Sequence, residues 1–163
     1  SLGAERVSIS RCQVSGRGSE DGIRVEGGSG HVIASCETDG HRHAVHLVDN
    51  TEAVVRGNNL SAQQSGVWLE RTEGAHVHAN FVGHTTRGID IDGGSNALVH
   101  GNAICDGDSG AIVRWGATGC SVTGNTWERC RIGVLVWEAP DAAVYGNEAI
   151  DLHEPDAAFT AGP

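Results

Sequence analysis

Apolar and polar residues alternate over short stretches of this chain, and the alternation itself repeats. In "GIDIDGGS", Gly88 to Ser95, Ile89 and Ile91 fall on one side of an extended segment and Asp90 and Asp92 on the other, because successive strand side chains point to opposite faces. The phrase returns as "GIRVEGGSG" at Gly22, "AVHLVDNTE" at Ala44, "GVWLERTEG" at Gly66, "GAIVRWGAT" at Gly110 and "GVLVWEAPD" at Gly133, with starts 22, 22, 22, 22 and 23 residues apart. A fixed period of this size indicates stacked repeats in place of one closed core.

Each repeat carries a second apolar pair that ends in "GN" and is followed by one more apolar residue, as in "VVRGNNL", "LVHGNAI", "VTGNTW" and "VYGNEAI". Three short strands and three turns per repeat predict one coil of an all-β, single-stranded parallel β-helix, about six to seven coils long. No helical period competes. The same register aligns Asn58, Asn80, Asn102, Asn125 and Asn147 in one column, which Cys36 and Cys12 continue toward the N-terminus. Identical amides stacked one strand spacing apart hydrogen-bond along the axis, so an asparagine ladder with a structural role is expected.

Composition fits a solenoid, with 24 Gly, 3 Pro and 4% aromatic residues. A single bulky core is not needed, since each repeat buries its apolar face against its neighbours. The net charge of -10, with all 11 basic residues arginine, argues against nucleic acid or an anionic membrane surface as partner. No apolar run is long enough for membrane insertion. Residues 1–163 read as one domain, with 152–163, including "EPDAAFTAGP", as a C-terminal cap or tail. "VSISRCQV" reads as the second half of a repeat, which suggests a mature form or an excised part of a longer chain. Five cysteines without CxxC give neither a zinc signature nor a full disulfide framework. Cys12 and Cys36 share a column about 4.8 Å apart by strand spacing, a distance open both to stacked thiols and to a disulfide.

The G-Φ-x-Φ and Φ-x-G-N motifs, at fixed spacing over roughly Val7 to Asp151, resemble the right-handed parallel β-helix superfamily. That superfamily includes pectate lyases, polygalacturonases, mannuronan C5-epimerases and periplasmic carbohydrate-binding repeat proteins. The resemblance implies the right-handed fold, a polysaccharide or oligosaccharide partner, and a secreted, periplasmic or cell-surface location. It leaves the reaction open.

Alternation predicts that third and fifth strand positions face solvent. The third-position column is Arg24, His46, Trp68, Asp90, Ile112 and Leu135; the fifth is Glu26, Val48, Glu70, Asp92, Arg114 and Trp137. On this face Asp90 and Asp92 are expected as acid and base, and their columns lie about 6.5–7 Å apart, near the short end of the inverting-glycosidase window. Glu70 stacked beneath Asp92 is expected to raise one carboxyl through like-charge repulsion. Arg114 would clamp a charge, Trp68 would offer a stacking platform, and Arg24, Glu70 and Trp137 would line the substrate path. For uronate lyase or epimerase chemistry, Arg114 and His46 are the candidate cation and base, although about 15 Å apart.

The short turns leave this groove open, which favours a competing reading: a non-catalytic binding or structural module that associates side by side. A further alternative is metal delivery, like the periplasmic copper-site maturation proteins, through His78 and His100, which stack about 5 Å apart on the second sheet beside Arg56 and Tyr145. His41 and His43 in "DGHRH" read as a turn without a third ligand. The acidic turn "DGDSG" at Asp106 resembles part of a calcium loop but lacks the distal glutamate, so it reads as solvated. No cofactor is expected, with calcium as the alternative.

Overall fold

Each alternating segment can bury its apolar side only against the equivalent segment of the next coil, and the chain winds accordingly. The computed structural model describes residues 6–153 and the backbone of Phe159–Ala161. Among the described residues there are nineteen strands and no helix. A seven-stranded parallel sheet runs from Ser8–Ser10 through Val54–Arg56, His76–His78 and Leu98–His100 to Ala143–Tyr145, and the other strands form a larger parallel sheet. The result is a parallel β-solenoid of about six turns.

Register follows the repeat. Ile89 pairs with Val67 on one side and Ala111 on the other, and Ile91 with Leu69 and Val113. These columns, continued by Val45 and Leu47, are buried, and each buried aliphatic side chain contributes about 1.5–3 kcal/mol relative to exposure. Phe159–Ala161 lies parallel to Ile132–Trp137; most of the expected cap at 152–163 falls outside the described residues.

The glycine of the "GN" motif has a definite cause. Gly57, Gly101, Gly124 and Gly146, each directly before a ladder asparagine, have φ between 60° and 64°, a region where a side chain is strained. Ala79, Ser35 and Arg11 hold the same position in other coils at φ 54° to 55°. The strand-opening glycine answers to space instead: a Cβ on Gly88 would lie 2.3 Å from the carbonyl oxygen of Gly110 and 2.6 Å from Ile104.

The asparagine ladder forms as expected. Asn80 Oδ1 accepts from the backbone N–H (3.1 Å) and the amide (2.9 Å) of Asn58, and the pattern repeats through Asn102, Asn125 and Asn147. Cys36 joins it through its N–H, 2.9 Å from Asn58 Oδ1. All five cysteines are free, so Cys12 and Cys36 are stacked thiols.

Two expectations change. "DGHRH" is not a turn: Glu37–Val48 is a continuous strand with register shifts between Thr38, His41 and His43, and both histidines are buried. The third strand position is not a solvent-facing column either. His46, Asp90 and Ile112 are buried, because the chain turns a corner at the preceding glycine or alanine and side chains from both arms converge outside it.

Candidate functional site

The corner is written in the sequence as x-G-Φ-y. The x residues His43, Ser65, Arg87, Ser109 and Ile132 pair in register as one column, and the y residues His46, Trp68, Asp90, Ile112 and Leu135 form the next. With only a small residue and one inward aliphatic between them, x reaches across to y.

In the N-terminal coils this corner holds aromatic rings and carboxylates. His46 stacks on Trp68 with centroids 4.0 Å apart and planes within 9°, and the His43 ring lies 4.7 Å from Trp68. His46 Nδ1 is 2.7 Å from Asp21 Oδ2 and 2.9 Å from Arg24 Nη1, while Nε2 is 3.0 Å from Glu70 Oε2. Burial drives His43 down to about 4, against an attraction from Asp21, so its ring is neutral at pH 7. Both ring nitrogens of His43 and the indole Nε1 of Trp68 are buried without a hydrogen-bond partner among the described residues. Glu70 is not the carboxyl that rises. Burial pushes it up, but hydrogen bonds from Arg71 and His46 outweigh burial and leave it lowered.

Further along, the corner closes into ion pairs. Arg114 Nε and Nη2 donate to Asp90 Oδ1 and Oδ2 at 2.9 and 3.0 Å, Arg87 Nη1 donates to Oδ2 at 3.2 Å, and Arg114 Nη2 lies 3.1 Å from Asp92 Oδ2. Asp90 has a fully buried side chain; burial raises its carboxyl while Arg114 and Arg87 pull it down. The two aspartates expected as acid and base therefore share one guanidinium, and Asp90 presents no open oxygen to a substrate. Beyond them Trp137 (41% exposed) and Trp115 (56% exposed) flank a cleft of ≈ 260 Å³ with Ile112 and Leu135 beneath and Arg87 and Arg114 at its edge. The Arg114 guanidinium carbon sits 4.0 Å over the Trp115 ring. Trp115 follows the strand at φ 50° and stands outside the period-two columns, which is why alternation does not single it out. Arg24 and Glu26 lie exposed at the opposite end, 3.2 Å apart.

On the seven-stranded sheet His78 and His100 stack in register, with centroids 5.1 Å apart and planes within 3°. Burial and then the charge of His100 hold His78 below the usual imidazole range. Neither ring has a hydrogen-bond partner among the described residues. His76, two residues earlier on the strand, is exposed on the same face. The acidic turn is closed by arginine: Arg129 donates to both oxygens of Asp106 at 2.7 and 3.0 Å, and Arg131 to Asp108 at 2.6 Å. Among the described residues, no group of three or more His, Cys, Asp and Glu is placed to hold a metal ion.

Residues 5–160 match the family described as periplasmic copper-binding protein (NosD). No curated protein matches the chain. The chain belongs to this family, whose description agrees with the secreted, periplasmic or cell-surface location that the resemblance implied.

Proposed function

We propose that this NosD-family solenoid carries copper in transit, with His78 and His100 as its exchange point. The observation that carries the reading is the pair of cofacial imidazoles, 5.1 Å apart and free of hydrogen bonds among the described residues. Imidazole suits copper, and a ligating histidine must be neutral. Burial and the second histidine both favour the neutral form of His78. Two donors on an open strand face suit a carrier, since the other coordination positions stay accessible to the ligands of a giver or receiver. The family description supports copper as the cargo.

The test is a titration of reduced protein with Cu(I) against a chromophoric chelator in the absence of oxygen. His78→Ala/His100→Ala should bind one equivalent of copper fewer than the parent. Equal copper stoichiometry in the parent and the double variant would refute the assignment.

A second reading is favoured by the Trp115–Trp137 cleft. Two large indoles in solvent are usually there to be covered, and a pyranose ring with its hydroxyls directed at Arg87 and Arg114 fits an aromatic-walled cleft of ≈ 260 Å³. Intrinsic fluorescence with a panel of neutral and uronate polysaccharides tests it, with Trp115→Ala as the variant expected to lose the response. Reducing ends, unsaturated-uronate absorbance and C5 inversion, with Asp90→Asn/Asp92→Asn as control, report any turnover.

A further inference from the structure

The ladder column changes chemistry at its N-terminal end. Where five coils place an amide, the first two place Cys12 and Cys36. Glu37 N donates to Cys12 O at 2.8 Å and Gln13 pairs with Glu37, so the two cysteines occupy adjacent rungs in register. Their thiols take over the donor role of the amides: Cys36 Sγ points to Ala34 O (3.4 Å) and Ile9 O (3.8 Å), and Cys12 Sγ to Ser10 O (3.4 Å). Cys36 is buried and Cys12 half-buried. Both border a cleft of ≈ 460 Å³ whose walls include Arg11, Gln13, Ser35 and Glu37.

We propose that Cys12 and Cys36 form a two-thiolate site for a soft monovalent metal ion, Cu(I) being the member of that class the family points to. The choice of ion rests on the copper reading above; the site does not depend on His78 and His100. Distance is the argument. Metal–thiolate bonds of about 2.3 Å place two sulfurs on opposite sides of an ion about 4.6 Å apart, close to the rung spacing of about 4.8 Å. A disulfide instead requires Cβ atoms about 3.8 Å apart, and two parallel rungs in register hold them farther than that. Thiolate ligands select Cu(I) among the biological first-row ions.

The binding step balances without a redox partner. Each thiol releases its proton to solvent, two S–Cu bonds form, and copper stays monovalent, leaving one net negative charge at a cleft whose walls include Arg11. Burial raises the Cys36 thiol above its usual range. Cys105, by contrast, faces Gly83 and Glu128 in register and has no thiol neighbour in its strand pairing.

The experiment adds Cu(I) to the reduced protein without oxygen and follows the ultraviolet thiolate-to-copper charge-transfer band and sulfur scattering in X-ray absorption. It is run in the parent and in His78→Ala/His100→Ala. The band should saturate at one equivalent in both, vanish in Cys12→Ser, and persist in Cys105→Ser. Cys12→Ser alters a half-buried residue of the first coil, and an unchanged far-ultraviolet circular dichroism spectrum separates loss of the site from loss of the fold. A band that survives Cys12→Ser, its absence from the parent, or a Cys12–Cys36 disulfide that forms in place of metal uptake would overturn the proposal. If instead the histidine variant alone changes nothing while the thiolate band stands, the exchange point is refuted and the thiol site is kept.

Discussion

Asp90 and Arg114 meet as a two-point fork, Nε to Oδ1 at 2.9 Å and Nη2 to Oδ2 at 3.0 Å, around a carboxylate that has no solvent-exposed surface. Removing one member of such a pair strands the other charge in the interior, at a cost of about 3–5 kcal/mol. Arg87 still reaches Asp90 at 3.2 Å, which places Arg114→Ala near the lower end of that range. Urea unfolding should show this loss, and Asp90→Leu/Arg114→Met should recover much of it. If Arg114→Ala unfolds at the parental midpoint, the fork adds nothing to stability.

His43 makes stability fall in mild acid. Its folded value is about 4 against 6.5 for the free side chain. Above 6.5 neither state binds the proton; between 6.5 and 4 the unfolded chain binds it and the folded one does not, so unfolding is favoured increasingly as pH drops. The full contribution is about 3 kcal/mol. Unfolding midpoints measured from pH 7.5 to 4 should decline in the parent, and the decline should be shallower in His43→Gln.

Asp106 acts at lower pH. Arg129 holds its carboxyl down to about 2 from 3.8, so the stabilisation is present above about 4 and is lost as pH falls through 2. The carboxyl carbon shift followed by NMR should titrate near 2 in the parent and move back toward 3.8 in Arg129→Gln. Added salt should shift it in the same direction, since the pair is at the surface.

The ladder should be more sensitive in its middle than at its end. Asn102 accepts two hydrogen bonds from Asn80 and donates to Val77 O, His100 O and Asn125 Oδ1. Asn102→Ala leaves a buried N–H and carbonyls unsatisfied, each costing about 1–3 kcal/mol. Asn147→Ala, with a less buried neighbourhood, should cost less; thermal unfolding of the two variants gives the comparison.

The period, the inward aliphatic columns and the ladder were all legible in the chain, because each depends on one position repeating against itself. The corner was not, because it depends on two positions at once. Alternation puts His46 and Asp90 outside correctly, yet outside a corner is not in solvent when His43 or Arg87 stands across from them. The pattern x-G-Φ-y contained the answer: a paired polar x and y, as in "HAVH" and "RGID", marks the coils where the corner fills with polar contacts. Trp115 escaped for the opposite reason, since it sits in a turn where no column predicts it.

The ladder also has a direction. Each amide oxygen serves the coil before it: Asn147 Oδ1 receives the N–H of Asn125, and Asn58 Oδ1 that of Cys36. Peeling coils from the C-terminal side therefore takes Oδ1 away from both the N–H and the amide of the asparagine that becomes the new end, whereas peeling from the N-terminal side takes both donors from the newly exposed Oδ1 and the carbonyl that accepted from its amide, as Asn58 and Val55 O serve Asn80. Pulled along its axis from either end, the solenoid should yield at unequal forces, making it a mechanically polar rod built from nearly identical units.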